Sequence, residues 1–260
     1  MAVVVPDILA RIVDHKRTEL RNMSQQRAEL ERAAAHRKDV RNFRAALIQS
    51  PPAIISEIKK ASPSKGVLLE VFDPAAIATL YSSGGAAALS VLTDREFFKG
   101  SLDDLHAART AVGLPVLRKD FTIDEIHVIE GAAHGADAIL LIAALLDESQ
   151  LRRFRELAEH YNMAALVEVH GEEELNRALA SGASIVGVNN RNLHTFEVTL
   201  ETSLRLAEKI PSGIIKVTES GIHSSADIKR LTDSGFNAFL VGEHLMKSAD
   251  RSAALRELRS

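Results

Sequence analysis

The sequence predicts a closed barrel of eight parallel strands wrapped by helices, a (β/α)8 TIM barrel with an N-terminal helical extension. Three observations carry this expectation. Eight short apolar runs recur along the 260 residues, nearly all separated by amphipathic stretches of helical period. A phrase rich in small residues leads into four of those runs: SGGAAALSV, HGADAILLI, SGASIVGVN and SGFNAFLVG. Strand-helix alternation with apolar strands implies a parallel sheet covered by helices, and eight such units close into a barrel. A doubly wound open sheet is the alternative, but no GxGxxG follows any run.

Residues 1–50 stand outside the repeat and are read as the helical extension, with 51–260 as the barrel. Pro6-Asp7 resembles a helix start with Asp7 as N-cap, and Ile8, Leu9, Ile12, Val13 and Leu20 mark one helical face. A charged stretch from Gln25 to Arg41 follows, then Phe43-Arg44-Ala45-Ala46-Leu47. This segment either packs on the barrel for stability, caps one barrel end, or does both. The predicted strands are 53–58, 87–92, 116–118, 138–142, 165–169, 185–188, 214–217 and 238–241. Helices are expected near 74–83, 102–112, 124–134, 147–161, 172–181, 201–209, 225–234 and 244–258. Gly84, Gly113, Gly135, Gly182 and Gly235 precede strands, where glycine ends a helix.

Composition removes several function classes. Formal net charge is −3, so no basic field attracts nucleic acid. Cysteine is absent, which excludes a disulfide framework, a thiolate nucleophile and any cysteine metal site. The start lacks the basic region of a signal peptide. The longest apolar run, Ala138 to Leu146, is far short of the roughly 20 residues that span a bilayer. A soluble, cytoplasmic protein without membrane partners is expected.

In this architecture the carboxyl ends of all strands converge on the active face. The segment EIKKASPSKG, Glu57 to Gly66, follows the apolar run Ala53-Ile54-Ile55. Period-two alternation puts Glu57 and Lys59 on the face of Ile55, where charge is costly unless a partner or substrate uses it. One such segment reads as an ion pair at a sheet edge; its recurrence favours a site. Strand 2 ends in Ser90 and Thr93, and strand 3 in Arg118-Lys119-Asp120-Phe121. Strand 5 ends in Glu168-Val169-His170, and strand 6 in Asn189-Asn190-Arg191-Asn192. Strand 7 ends in Thr218-Glu219-Ser220-Gly221, and strand 8 in Gly242-Glu243. The last two loops are where barrels often bind phosphate on backbone N–H groups. There the N–H of Glu243 is expected to serve, with its carboxylate facing out.

Taken in order, EIKKASPSKG, SVLTDREFFKGS, LRKDF, LVEVH, GVNNRNL, ESGI and LVGEHLMK resemble the indole-3-glycerol phosphate synthase family. The resemblance runs from about Ile55 to Lys247, and the N-terminal segment is similar to that family's extension. It implies conversion of 1-(2-carboxyphenylamino)-1-deoxyribulose 5-phosphate to indole-3-glycerol phosphate, CO2 and water, with no cofactor and no metal. Lys119 matches the family's general acid and Glu168 its general base. Glu57 and Lys59 match the strand-1 pair that positions or protonates the substrate. Asn189 matches a polar anchor, and Arg191 a group that orients the substrate or Glu57. Glu219 and Ser220 match strand-7 pocket residues. Ser62, Gly221, Gly242 and Glu243 fall on phosphate-binding positions, and Phe98 and Phe121 on the apolar wall beside the anthranilate ring. The implied partner is a small phosphorylated substrate; a monomer and association with other tryptophan-pathway enzymes both remain open.

The chemistry asks for these residue types. Ring closure puts negative charge on the ketone oxygen, and a lysine among other cations has a lowered pKa suited to protonating it. The new hydroxyl must later leave as water, while a base takes the indoline proton. Phosphoribosylanthranilate isomerase, a rival phosphate-binding barrel, typically uses a cysteine base that this chain lacks. A catalytically silent barrel predicts broken strand ends, and these are intact.

Overall fold

The structure is a computed structural model that describes residues 7–49, 51–63 and 65–260. Eight parallel strands close into a barrel. They are β1 (Ala53–Ile58), β2 (Ala88–Leu92), β3 (Val116–Lys119), β4 (Ala138–Ile142), β5 (Ala164–Val169), β6 (Ile185–Asn189), β7 (Ile215–Glu219) and β8 (Ala238–Val241). Each strand pairs with its sequence neighbours, and β1 closes the ring on β8 through Ala53↔Ala238 to Ser56↔Val241.

Alternation divides the strand residues between two apolar layers. Ile55, Leu140, Leu166, Val217 and Leu240 fill the barrel interior. Ile54, Val91, Ile139, Val167 and Phe239 pack under the surrounding helices. Burying a branched aliphatic side chain contributes about 1.5–3 kcal/mol, so a one-residue slip in any strand is strongly opposed.

The extension wraps both ends of the barrel. Helix α1 (Asp7–Met23) lies across the carboxyl face, where Ile8, Leu9 and Ile12 line the main cavity. Helix α2 (Arg27–His36) runs down the outside, with Leu30 and Ala34 buried in the outer core. Helix α3 (Phe43–Gln49) closes the opposite end, placing Phe43 and Leu47 against Ala53, Ala88 and Ala238. Between α2 and α3 the chain is tied to buried Asp137. Its Oδ1 accepts from Arg37 Nη2 at 2.5 Å and from the Arg41 N–H at 2.9 Å. Asp7, read from the sequence as the N-cap, is the first residue within α1.

Several boundaries differ from expectation. Lys119, Asn189 and Glu219 are the last residues of their strands rather than the first residues of loops. They therefore inherit the inward direction of the pleat. The expected helix 244–258 is two helices, Glu243–Lys247 and Arg251–Leu258, because Asp250 caps the second one through the Ala253 N–H at 2.8 Å. A four-residue helix, Arg95–Phe98, and a ribbon pairing Ala61–Ser62 with Gly66–Val67 were not foreseen. Gly85 (φ 92°), not Gly84, takes the left-handed turn after the helix Pro74–Gly84. Gly113 takes no left-handed conformation. Among the described residues no helix is long and apolar enough to cross a membrane.

Candidate active site

A cavity of about 510 Å³ opens at the carboxyl end of the barrel. Every residue given a site role by the family resemblance borders it: Glu57, Lys59, Ser62, Phe98, Lys119, Phe121, Glu168, Asn189, Arg191, Glu219, Ser220, Gly221, Gly242 and Glu243. The strands explain the convergence, because Glu57, Lys119, Glu168, Asn189 and Glu219 all occupy the inward phase of their strands.

The centre is an alternation of charges. Lys119 Nζ donates to Glu168 Oε2 at 2.8 Å and lies 3.3 Å from Glu219 Oε2. Lys59 Nζ donates to Glu57 Oε1. Burial alone disfavours the Lys119 ammonium, but the carboxylates of Glu168, Glu219 and Glu57 outweigh it and raise its pKa. The lowered lysine pKa expected from the sequence is thus corrected: the neighbours of Lys119 are carboxylates, not cations. Burial likewise opposes the Glu168 charge, and Lys119 with His170 overcomes it, so Glu168 is held ionised. Glu219 goes the other way. Burial, reinforced by the Glu168 charge and only partly offset by Lys119, raises its pKa to about 7.

Of the two roles expected for Arg191, the one toward Glu57 is not seen, and the residue lines the cavity. Its guanidinium faces Glu243 at 4.0 Å, and its backbone N–H donates to Asn189 Oδ1 at 3.0 Å; neither contact involves Glu57. Glu243 also accepts from Lys247 Nζ at 2.6 Å along its own helix, so its carboxylate is occupied away from the cavity floor. Ser220 and Gly221 both have positive φ, 68° and 79°, which turns the chain sharply after β7 beside Gly242. Phe98 and Phe121 stack with ring centroids 6.0 Å apart and form one wall.

Sequence reasoning missed the latch behind that wall. Lys16, on α1, is buried and lies 2.8 Å from Asp120 Oδ1 and 3.1 Å from Asp94 Oδ2. Asp94 caps the Phe97 and Phe98 N–H groups, at 2.7 and 3.3 Å. Asp120 accepts from Thr93 Oγ1 at 2.6 Å and from the Phe121 N–H at 2.8 Å. Burial opposes the charge of Asp120, but Arg118 and Lys16 hold its carboxyl well below the usual range. One ammonium therefore joins the covering helix to both loops that carry the aromatic wall. The only hint in the sequence was a lysine four residues beyond Ile12, on the apolar face. His170 was visible at a strand end but had no assigned role.

A barrel with paired acids and bases at the carboxyl ends of its strands, under a helical cover, is an enzyme of the (β/α)8 class. A family model described as "Indole-3-glycerol phosphate synthase" matches residues 9–258. Relatives of that name are 50% identical in Polaromonas naphthalenivorans (strain CJ2), over 97% of this chain and 98% of that one, and 50% identical in Bordetella pertussis (strain Tohama I / ATCC BAA-589 / NCTC 13251), with the same coverage. This chain belongs to the indole-3-glycerol phosphate synthase family. Solved structures share the fold at low identity. One titled "Crystal Structure of 3-Hexulose-6-Phosphate Synthase" superposes with a TM-score of 0.63 at 21% identity, covering 80% of this chain and 98% of that one.

Proposed function

We propose that Lys119 and Glu168 are the acid and base of the family reaction in this pocket. The reaction is a decarboxylating ring closure and dehydration, a carbon–carbon lyase step of tryptophan biosynthesis. It takes 1-(2-carboxyphenylamino)-1-deoxyribulose 5-phosphate to indole-3-glycerol phosphate, CO2 and water. The observation that carries the assignment is the 2.8 Å Lys119–Glu168 pair, buried where strands β3 and β5 end in the cavity.

The pairing couples the two roles. A raised lysine pKa makes a poor acid while Glu168 is ionised. When Glu168 takes the indoline proton, one of the charges holding the Lys119 proton disappears, and Lys119 becomes a better donor to the departing hydroxyl. Lys59, held by Glu57, is placed to serve the other protonation. Substrate phosphate is proposed to sit on the backbone N–H groups of Gly221, Gly242 and Glu243, with Ser62 close by. The aryl ring is proposed to lie against Phe98 and Phe121, beneath Ile8, Leu9 and Ile12 of α1. Asn189 and Ser220 anchor the sugar, and Arg191 offsets phosphate charge from beside Glu243.

The experiment is the appearance of indole fluorescence when the carboxyphenylamino substrate is added; absence of product contradicts the reading. The chain has no tryptophan, so the signal has no protein background of that kind. We further infer that residues 1–50 act as an extension of a barrel spanning 51–260, that the enzyme works in the cytoplasm as a monomer, and that contact with other tryptophan-pathway enzymes is open to test by co-purification.

A further inference from the structure

Asn190 follows Asn189 in the motif GVNNRNL but takes the opposite phase of the strand. It does not border the main cavity and lies instead on the outer side of the barrel, toward the helix Glu201–Ala207. Three polar side chains are buried together there. Asn190 is 1% exposed, and Ser203 and Thr218 are wholly covered. Elsewhere this layer is filled by apolar residues such as Val167, Val188 and Phe239. A polar cluster in it costs free energy unless every group is paired, and what the pairing fixes in place is then informative.

Asn190 is paired at every polar group. Its Oδ1 accepts from the Ser203 N–H at 3.1 Å, and its Nδ2 donates to Thr218 Oγ1 at 3.0 Å and to the Ser220 carbonyl at 3.0 Å. Its backbone N–H donates to the Glu219 carbonyl at 2.9 Å, and its own carbonyl accepts from the Thr199 N–H at 3.1 Å. Ser203 Oγ and Thr218 Oγ1 complete the cluster at 2.8 Å. The one bond that leads out of the cluster toward the cavity is the bond to Ser220. Ser220 has φ 68°, a left-handed conformation that is costly for a residue with a Cβ and open to glycine. Gly221 follows at 79°, and a Cβ built on it meets Val198 Cγ1 at 2.7 Å and Leu200 Cδ2 at 3.4 Å. The segment after β6 thus grips both residues of the turn after β7, and its amide reaches Ser220 from 30 positions away in the chain.

We propose that Asn190 is a positioning residue for the substrate phosphate: its side-chain amide holds the Ser220 carbonyl, and with it the left-handed turn Ser220-Gly221, in the shape that receives the phosphate. The inference rests on the phosphate placement proposed above. Asn190 itself touches no substrate and acts through Ser220. Because the turn is set before substrate arrives, no binding energy is spent on forcing Ser220 out of its ordinary backbone region. Without the amide, Ser220 relaxes toward negative φ, and the N–H of Gly221 swings away from the phosphate.

The probe is inorganic phosphate as a competitor of the substrate, since it makes none of the aryl or sugar contacts. Asn190→Ala should weaken that competition about tenfold and raise KM for the phosphorylated substrate more than it lowers kcat. Ser220→Gly separates positioning from simple packing, because glycine takes positive φ without a bond to hold it. The double variant Asn190→Ala with Ser220→Gly should therefore bind phosphate within about threefold of Ser220→Gly alone. A double variant that still shows the full loss overturns the proposal. So does an Asn190→Ala protein whose urea midpoint falls while its phosphate affinity is unchanged. If Asn190→Ala does not fold, Asn190→Ser, whose hydroxyl has no amide to offer the Ser220 carbonyl, carries the same comparison with the same outcomes. A parent enzyme in which phosphate does not compete with substrate at all would instead overturn the phosphate placement, and the role of Asn190 with it.

Discussion

Glu57 occupies the space that a side chain on Gly242 would need: a Cβ built at residue 242 collides with the Glu57 carboxylate and presses on its Cβ at 3.2 Å. The turn proposed to hold phosphate and the Glu57–Lys59 pair are thus close neighbours. Gly242→Ala should therefore do more than weaken anchoring. Displacing Glu57 disturbs its pairing with Lys59, so kcat should fall by about tenfold along with a rise in KM. Steady-state kinetics with the phosphorylated substrate decide this; a pure KM effect would show that Glu57 yields without consequence.

Lys16→Met should destabilise the fold by about 3 kcal/mol, because it strips a buried cation from Asp94 and Asp120. The urea midpoint measures the loss. Adding Asp94→Asn, which keeps an acceptor for the Phe97 and Phe98 N–H groups, should recover part of that stability. KM should stay raised in both variants, since the covering helix is no longer joined to the Phe98 and Phe121 loops. A double variant with normal KM would reduce Lys16 to charge neutralisation.

The two halves of the extension should respond differently to truncation. Removing residues 1–23 takes away the helix that covers the cavity and should raise KM in a folded protein. Removing residues 1–41 also takes Arg37 and Arg41 from Asp137, which is buried at the other end of the barrel and then keeps only Arg109 as a cation. That deletion should lower the urea midpoint sharply. Equal midpoints for the two truncations would contradict the division of labour.

Glu219 should place an inflection near pH 7 in kcat/KM. Burial, aided by Glu168, raises its pKa to about 7, so it is neutral below that pH and anionic above it. A second negative charge 3.3 Å from Lys119 opposes an anionic substrate, and kcat/KM should fall as pH rises through 7. Glu219→Gln keeps the neutral shape at every pH and should remove the inflection; a variant that retains it would assign the titration to another group.

The barrel was legible because its apolar runs and small-residue phrases repeat with the unit of the fold. The polar strand ends were legible because period two fixes which residues point inward, as Glu57 and Glu168 do. Three things were not. The lysine environment depends on which strand ends become neighbours across the barrel, and Lys119 faces Glu168 from 49 positions away in the chain. The Lys16 latch joins α1 to two loops about 80 and 100 residues further on, and nothing local to DHKRTE marks it. The Asp94 cap was overlooked because a four-residue helix leaves too short a pattern to recognise.

Lys119 carries the central claim. Its exchange for methionine keeps the length and apolar stem but removes the transferable proton and the charge opposite Glu168 and Glu219. The decisive measurement is the initial rate of indole fluorescence from saturating substrate, comparing the parent with Lys119→Met and Lys119→Arg. The account predicts that the methionine variant is slower by about 10²–10⁴-fold. The arginine variant should be nearly as slow, because a guanidinium retains its proton. Near-parental turnover in Lys119→Arg would contradict the account, leaving Lys119 as a charge and Lys59 as the acid.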